Sequence, residues 1–258
     1  MELRILGPIE IVAEGRVVTP RAGKQRSLLA FLVLHANERI SSDRLIDALW
    51  GERAPPTAAA ALQNQVAALR RLFGAERIET EGSAYLLRLE PGELDVDRFE
   101  ELVRSATGLA AERAELLRTA LSLWRGRPLV DVEDESFAQS EIARLEELRL
   151  VGLERRIDAE LELGLHAALV AELEALAREH PLREGLRAQL MLALYRSGRQ
   201  AEALEIYQET RRSLVDELGI DPSQALQRLH QRILLQDTGL DLEPSTAAPT
   251  PKTVAPAR

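Results

Sequence analysis

Cysteine is absent from the 258 residues of this chain, which excludes a disulfide framework and a zinc site built on thiolates. The histidines are few and scattered, and no two of them have the i, i+4 spacing of a helical metal site. We therefore expect no metal ion and no cofactor. Because nothing in the sequence calls for an oxidising compartment, an intracellular protein is the default expectation.

Long apolar runs and aromatic residues are also scarce. The longest apolar run, residues 28–34, is far shorter than the ~20 residues of a membrane-spanning helix. Arg4, Pro8 and Glu10 interrupt the N-terminal segment, so it has no signal-peptide core. Aromatics make up only 3% of the chain, whereas the strong helix formers Ala, Leu, Glu and Arg dominate. These features predict a soluble, cytoplasmic, mainly α protein with no membrane partner.

The net charge of −9 argues against binding to nucleic acid when it is taken as a whole, but the charge is unevenly distributed. Residues 1–91 carry 12 Lys and Arg against 11 Asp and Glu, whereas residues 92–240 carry 19 against 29. The acidity therefore belongs to the middle and C-terminal parts. In the N-terminal part, the positions of the cations decide what the surface can bind.

The first 91 residues have the element order of a winged helix-turn-helix. Three short strands come first, because apolar residues alternate with polar ones around Leu3, Ile11 and Val17. Helices are predicted at about 24–35, 42–50 and 58–73, the second capped by Ser41 or Ser42 and the third by Thr57. A hairpin follows at 77–89. Two helices joined by a short loop and followed by a hairpin are typical of the winged DNA-binding fold.

Beyond Pro91-Gly92 the pattern is helical throughout. Helices are predicted at about 95–106, 110–124, 136–163, 167–179, 182–197, 200–218 and 222–235, with Pro181 and Pro222 at first helical positions. Gly164 and Gly198 separate consecutive helices and lie 34 residues apart, which is the tetratricopeptide period. We therefore predict small β-sheets in an N-terminal domain at 1–91 and an all-α domain at 95–238. A tail rich in Pro, Thr and Ala, residues 239–258, is expected to be disordered.

Several local motifs resemble those of the Streptomyces antibiotic regulatory protein family. The matching segments are Leu6-Gly7-Pro8, Gly23-Lys24-Gln25-Arg26, residues 43–51, residues 180–184 and residues 194–204. The resemblance covers nearly the whole chain apart from the tail. It implies an OmpR-type winged helix at 1–91 and a bacterial transcriptional activator domain of tetratricopeptide-like helices at 95–238.

The same resemblance implies a function. It suggests a non-enzymatic activator that binds direct repeats in double-stranded DNA upstream of promoters, possibly for a secondary-metabolite gene cluster. The partners it implies are RNA polymerase holoenzyme and further copies of the chain on DNA. Such a protein would be cytoplasmic and associated with the nucleoid.

A polar face on the third helix is the candidate for reading bases. It is opposite the apolar stripe of that helix and carries Ala60, Asn64, Ala67, Ala68 and Arg71, with Gln63 and Arg70 on its flank. Asn64 and Gln63 suit adenine, and Arg71 suits guanine or a phosphate. The alternative interpretation is an ordinary solvated helix face. Thr57, at the start of the helix, belongs to the same candidate set.

Alanine is the unusual residue on this face. The family pattern has Asn near Ala60, and Ser and Arg near Ala67 and Ala68. Alanine can touch a thymine methyl group but makes no hydrogen bond, so we expect weaker or altered sequence reading. A second hypothesis follows: an interaction adaptor, or a regulator of other regulators, whose winged helix has lost specific DNA binding.

Phosphate contacts are expected at the start of the first helix. Lys24 and Arg26 begin that helix and Arg21 precedes it, and backbone N–H groups with nearby cations suit an anion. The alternative is again a solvated helix start. Arg77 flanks the hairpin and is the candidate wing contact, although Glu81 at the hairpin tip would repel phosphate.

Overall fold

The computed structural model describes residues 1–21 and 23–242. The chain folds into two compact units, one from Met1 to Arg156 and a second beginning at Ile157. The domain boundary predicted at 91–95 lies inside the first unit. That boundary stays a prediction about how the chain is built from modules.

The first sheet confirms the three short strands expected near the N-terminus. It contains β1 (Glu2–Arg4), β2 (Glu10–Ala13) and β3 (Arg16–Val18) in antiparallel order β1-β2-β3. Leu3 pairs with Ile11, and Ile11 pairs with Val18. Leu3 and Ile11 are completely buried, so the sheet presents one apolar face to the core.

The three helices of the winged-helix part follow the sequence closely. They are α1 (Lys24–Leu34), α2 (Ser42–Trp50) and α3 (Ala58–Phe73). The apolar stripe of α3, from Leu62 to Phe73, is buried against α1 and α2. Ser41 caps α2 as predicted, because its Oγ accepts the Arg44 N–H at 3.2 Å. The Thr57 cap is wrong: this hydroxyl makes no capping bond.

A second sheet forms the wing. It contains a two-residue strand, β4 (Ile40–Ser41), and a hairpin, β5 (Ile78–Glu81) and β6 (Ala84–Leu87), in the order β4-β6-β5. The sequence predicted the hairpin but not β4, because a two-residue strand is too short to show alternation. Strand β4 joins the loop before α2 to the wing.

The first unit continues with α4 (Asp95–Ser105), α5 (Ala110–Leu121) and the start of α6 (Ser136–Glu162). Helix α5 ends three residues before the predicted position. The amides of Leu123 and Trp124 form turn bonds instead, and the next amide, that of Arg125, donates to the Leu6 carbonyl at 2.7 Å. A tertiary contact therefore ends α5, and local sequence carries no signal for it.

The second unit contains α7 (His166–Glu179), α8 (Glu184–Arg196), α9 (Gln200–Leu218) and α10 (Gln224–Leu234). Gly164 and Gly198, with φ of 81° and 76°, take the left-handed conformation between helices, which favours glycine. Helix α7 packs on α8, and α8 packs on α9, as in a stacked helical repeat.

The predicted helix starts at Pro181 and Pro222 are wrong by two or three residues. Helices α8 and α10 begin at Glu184 and Gln224, with N-caps at the residues just before them. At α10 the reason is a better cap: the Ser223 Oγ accepts the Leu226 N–H, and the Ser223 N–H donates to Glu184 at 2.7 Å.

Part of the predicted tail is ordered. Residues Thr238–Leu240 form a 3₁₀ turn, and Leu240 is buried in the core of the second unit. The Leu240 carbonyl accepts a hydrogen bond from Arg196 at 2.8 Å. Residues 243–258 of the predicted tail lie outside the described residues.

One buried carboxylate connects α4 to the N-terminal strands. Asp95 is 1% exposed and accepts the N–H groups of Ile5 and Leu6 at 2.9 to 3.0 Å. Arg125 lies 3.4 Å from the same carboxylate. Burial raises the pKa of Asp95, whereas the two N–H donors and Arg125 favour its charged form. The chain between β1 and β2 is therefore held by an acid 90 residues away.

Replacing Asp95 with Asn should destabilise the protein. An amide has one acceptor oxygen where the carboxylate has two, and its NH₂ group would face the donors of Ile5 and Leu6. We expect the free energy of unfolding in urea to fall by about 2–3 kcal/mol. The control is Asp97→Asn, an exposed acid on the same helix, with an expected loss below about 0.5 kcal/mol. Equal losses for the two variants would contradict this account of Asp95.

Candidate nucleic-acid interface

The exposed face of α3 contains most of the residues predicted to read bases. Ala60, Gln63, Asn64, Ala67 and Arg71 are all exposed, and Ala68 is half-buried. They lie opposite the buried stripe because α3 is one regular helix from Ala58 to Phe73. The structure therefore brings these side chains onto one surface.

A groove of about 640 Å³ runs beside this face. Helix α3 lines it with Asn64, Gln65, Ala68, Arg71 and Leu72, and the start of α1 with its preceding loop lines the other side with Thr19, Arg21, Lys24 and Gln25. Three of these side chains are cationic, and no carboxylate is among the described residues that line the groove. Predicted phosphate contacts and predicted base contacts thus lie side by side.

The loop that carries Arg21 is fixed from within. Gln25 is buried at 7% exposure, and its Oε1 accepts the Arg21 N–H at 2.8 Å. This bond orders the backbone at Arg21 while leaving its side chain exposed. Arg21 and Arg71 are thus two solvent-facing guanidinium groups in the same groove.

Arg26 does not face the groove. Its guanidinium is 2.5 Å from Asp131 and donates to the Pro20 carbonyl at 3.1 Å, and the side chain is only 19% exposed. The phosphate role expected for Arg26 is therefore corrected to an internal contact. The reason is a partner 105 residues later in the chain, which no local pattern reveals.

Arg70 and Arg77 are also engaged inside the winged-helix part. Arg70 donates twice to the Ile78 carbonyl, at 2.9 and 2.6 Å, and once to the Thr80 hydroxyl at 2.6 Å. Arg77 forms two hydrogen bonds to Glu93, at 2.7 and 2.9 Å. We therefore leave both out of the set of base or phosphate contacts. Arg70 instead connects α3 to strand β5 of the wing.

The wing itself carries little unpaired positive charge. Arg88 pairs with Glu79 at 2.9 Å and Arg39 with Glu81 at 2.7 Å, both on the hairpin or beside it. These pairs agree with the expectation that acids at the hairpin disfavour phosphate contact. Thr57 is exposed at the start of α3, where a hydroxyl without a capping role can reach a DNA backbone.

Two residues near the groove were not anticipated. Gln65 lines the groove next to Asn64, and its place at the edge of the α3 face is visible on a helical wheel. Glu135 lies 3.2 Å from the Lys24 ammonium. It is 111 residues away in sequence, so only the tertiary structure shows it.

Comparison with known proteins identifies the family. The family model described as transcriptional regulatory protein, C terminal, matches residues 18–86, and the bacterial transcriptional activator domain matches residues 94–234. The chain belongs to the Streptomyces antibiotic regulatory protein family. This confirms the expected fold class, mainly α with a winged helix followed by tetratricopeptide-like helices. Members of this family are transcriptional regulators.

Relatives align along nearly all of the chain. It is 45% identical to the regulatory protein AfsR of Streptomyces coelicolor over 98% of this chain and 26% of that protein. It is 41% identical to the regulatory protein DnrI of Streptomyces peucetius over 93% of this chain and 94% of that protein. The chain therefore spans about a quarter of AfsR and nearly all of DnrI.

A solved structure supports the same architecture. Mycobacterium tuberculosis EmbR, in complex with a low affinity phosphopeptide, superposes with a TM-score of 0.83 at 35% identity. The match covers 91% of this chain and 65% of that one. Among the residues described here, no helix has the length and apolar character needed to pass through a bilayer.

Arg70 and Arg71 should differ in what they do for stability. Arg70→Ala removes three hydrogen bonds that connect α3 to the wing, so we expect the free energy of unfolding to fall by about 1–2 kcal/mol. Arg71→Ala removes an exposed neighbour on the same helix and should cost less than about 0.5 kcal/mol. Urea unfolding of both variants measures the difference. If Arg71→Ala costs as much, Arg70 has no special positioning role.

Proposed function

We propose that this chain is a sequence-specific DNA-binding transcriptional activator that places α3 in the major groove. The observation that carries the proposal is the groove itself, where Arg21, Lys24 and Arg71 lie beside the exposed amides of Gln63 and Asn64. Cations position a protein on the phosphate backbone, and amide and guanidinium groups read base edges.

The side chains divide into two classes under this proposal. Asn64 and Gln63 pair with adenine, and Arg71 contacts guanine or a phosphate. Arg21 and Lys24 contact phosphates on the other side of the groove, and the Thr57 hydroxyl contacts the backbone at the start of α3. Ala60, Ala67 and Ala68 offer only methyl groups, which narrows what the helix can distinguish.

The wider features of the proposal rest on family membership. We propose that the sites are direct repeats upstream of promoters, that copies of the chain associate on them, and that RNA polymerase holoenzyme is recruited there. An acidic helical part, with 29 Asp and Glu against 19 Lys and Arg over 92–240, suits contact with a basic protein surface. The chain then acts without catalysis, in the cytoplasm at the nucleoid.

Capture of genomic DNA fragments tests this function directly. The purified chain is mixed with sheared genomic DNA at two salt concentrations, and the bound fragments are sequenced. Enrichment of direct repeats about one helical turn apart supports the proposal. Sequence-blind recovery that collapses as salt rises indicates phosphate binding alone, and no recovery at all overturns the proposal.

One second candidate has a specific observation behind it. Ala60 and Ala67 are exposed on the reading face, where hydrogen-bonding side chains are expected in the family. A chain with no specific DNA binding would instead act as an interaction adaptor, or as a regulator of other regulators. Sequence-blind capture together with stable binding of a protein partner would favour this candidate.

Variants of the groove should separate sequence reading from phosphate binding. Asn64→Ala and Arg71→Ala should each lower the preference for the selected site over random DNA by about 5- to 150-fold, as loss of one good base contact predicts. Lys24→Ala should weaken binding to both DNAs alike and reduce the slope of log K against log salt by about 0.9. Fluorescence anisotropy titrations at several salt concentrations measure both quantities.

Arg16→Ala is the matched control for these variants, because Arg16 is an exposed cation on β3 that does not line the groove. Its preference ratio and its salt slope should both stay close to those of the unmodified chain. If Arg16→Ala changes DNA binding as much as Lys24→Ala does, the groove is not the phosphate-binding surface.

A further inference from the structure

One of the groove cations is held by an acid from outside the winged-helix segment. The Glu135 Oε1 lies 3.2 Å from the Lys24 ammonium and accepts the Ser27 hydroxyl at 2.8 Å. Glu135 immediately precedes α6 and is part of an acidic run, Glu133-Asp134-Glu135. The contact lies within the first compact unit.

We propose that Glu135 competes with DNA phosphate for Lys24 and so limits the affinity of the groove for any DNA. The inference rests on the proposed DNA-binding function and adds a residue that sets its strength. Under it, Glu135 lowers sequence-independent binding and leaves the choice of sequence to α3.

The two ion pairs at the start of α1 differ in a way that supports this. Arg26 is 19% exposed, and its partner Asp131 also accepts the Ile9 N–H at 2.7 Å, so that pair is part of the internal scaffold. Lys24 is 38% exposed and lines the groove, so its ammonium remains within reach of a ligand. A half-exposed pair of this kind can exchange partners at little cost.

Electrostatics explains why the exchange matters. A phosphate that approaches Lys24 meets a carboxylate already placed on the same ammonium, and in exchanging partners the lysine releases no counterion from the DNA beyond those released elsewhere. Each phosphate contact that does release counterions steepens the salt dependence by about 0.9. The unmodified chain should therefore show a shallower salt dependence than its groove cations predict.

Glu135→Gln tests the proposal with little risk to the fold. The glutamine oxygen can still accept the Ser27 hydroxyl, so only the charge is removed. We expect binding at physiological salt to tighten about three-fold, the strength of one surface ion pair. The salt slope should steepen by about 0.9. Because phosphate carries no sequence information, the gain should be equal for the selected site and for random DNA.

Two controls fix the route of the effect. Glu133→Gln removes the same charge two residues away, from a side chain paired with Arg127 at 2.6 Å, and should leave DNA binding unchanged. In a Lys24→Gln background, Glu135→Gln should no longer tighten binding. An equal gain from Glu133→Gln, or a gain that persists without Lys24, overturns the proposal.

The outcomes also separate this inference from the proposed function. Specific binding by the unmodified chain with no gain from Glu135→Gln leaves the DNA-binding function standing and removes Glu135 from it. A gain confined to the selected site shows that Glu135 acts on base reading, which contradicts the inference. Failure of both proteins to bind any DNA at either salt concentration overturns the function and the inference together.

Discussion

The buried carboxylate of Asp95 is the contact on which the first compact unit depends. Two backbone N–H groups between β1 and β2, those of Ile5 and Leu6, have no strand partner and donate to this acid instead. An unmet N–H in a dry core costs about as much as a lost hydrogen bond, so the acid is needed where the chain leaves the sheet. Arg125 adjoins Asp95, and its own N–H donates to Leu6. Helices α4 and α5 and the N-terminal sheet therefore form one structure.

This arrangement extends to the proposed DNA-binding groove. Asp131, beyond α5, accepts the Ile9 N–H and pairs with Arg26, and Glu135 then reaches Lys24. Acids from the activator-domain sequence thus take up cations at the start of α1. Since the compact unit ends at Arg156, the surface proposed to bind DNA and the charge proposed to tune it belong to the same unit, although they match different family models.

The charges of an acidic protein are compatible with DNA binding because of where the pairs form. Arg26, Arg39, Arg77 and Arg88 each have a carboxylate partner, and Arg70 is bound to the wing backbone. What remains toward the groove is a small set of cations beside the amides of α3. A few well-placed positive groups matter more to such a surface than the net charge of −9.

The sequence by itself determined the elements and the face of α3. Helical periodicity places Leu62 and Phe73 inside and therefore Asn64 and Arg71 outside, because a regular helix has only one way to bury its stripe. Helix ends were less certain: α5 stops early for the sake of Arg125, and Ser223 replaces the expected cap of α10. Only the tertiary structure decided which cations are available. Arg26 and Lys24 look equivalent in sequence, yet acids more than a hundred residues away make one an internal strut and leave the other at the groove. Local patterns report burial and helix phase, whereas the pairing of charges depends on contacts that form when distant segments pack together.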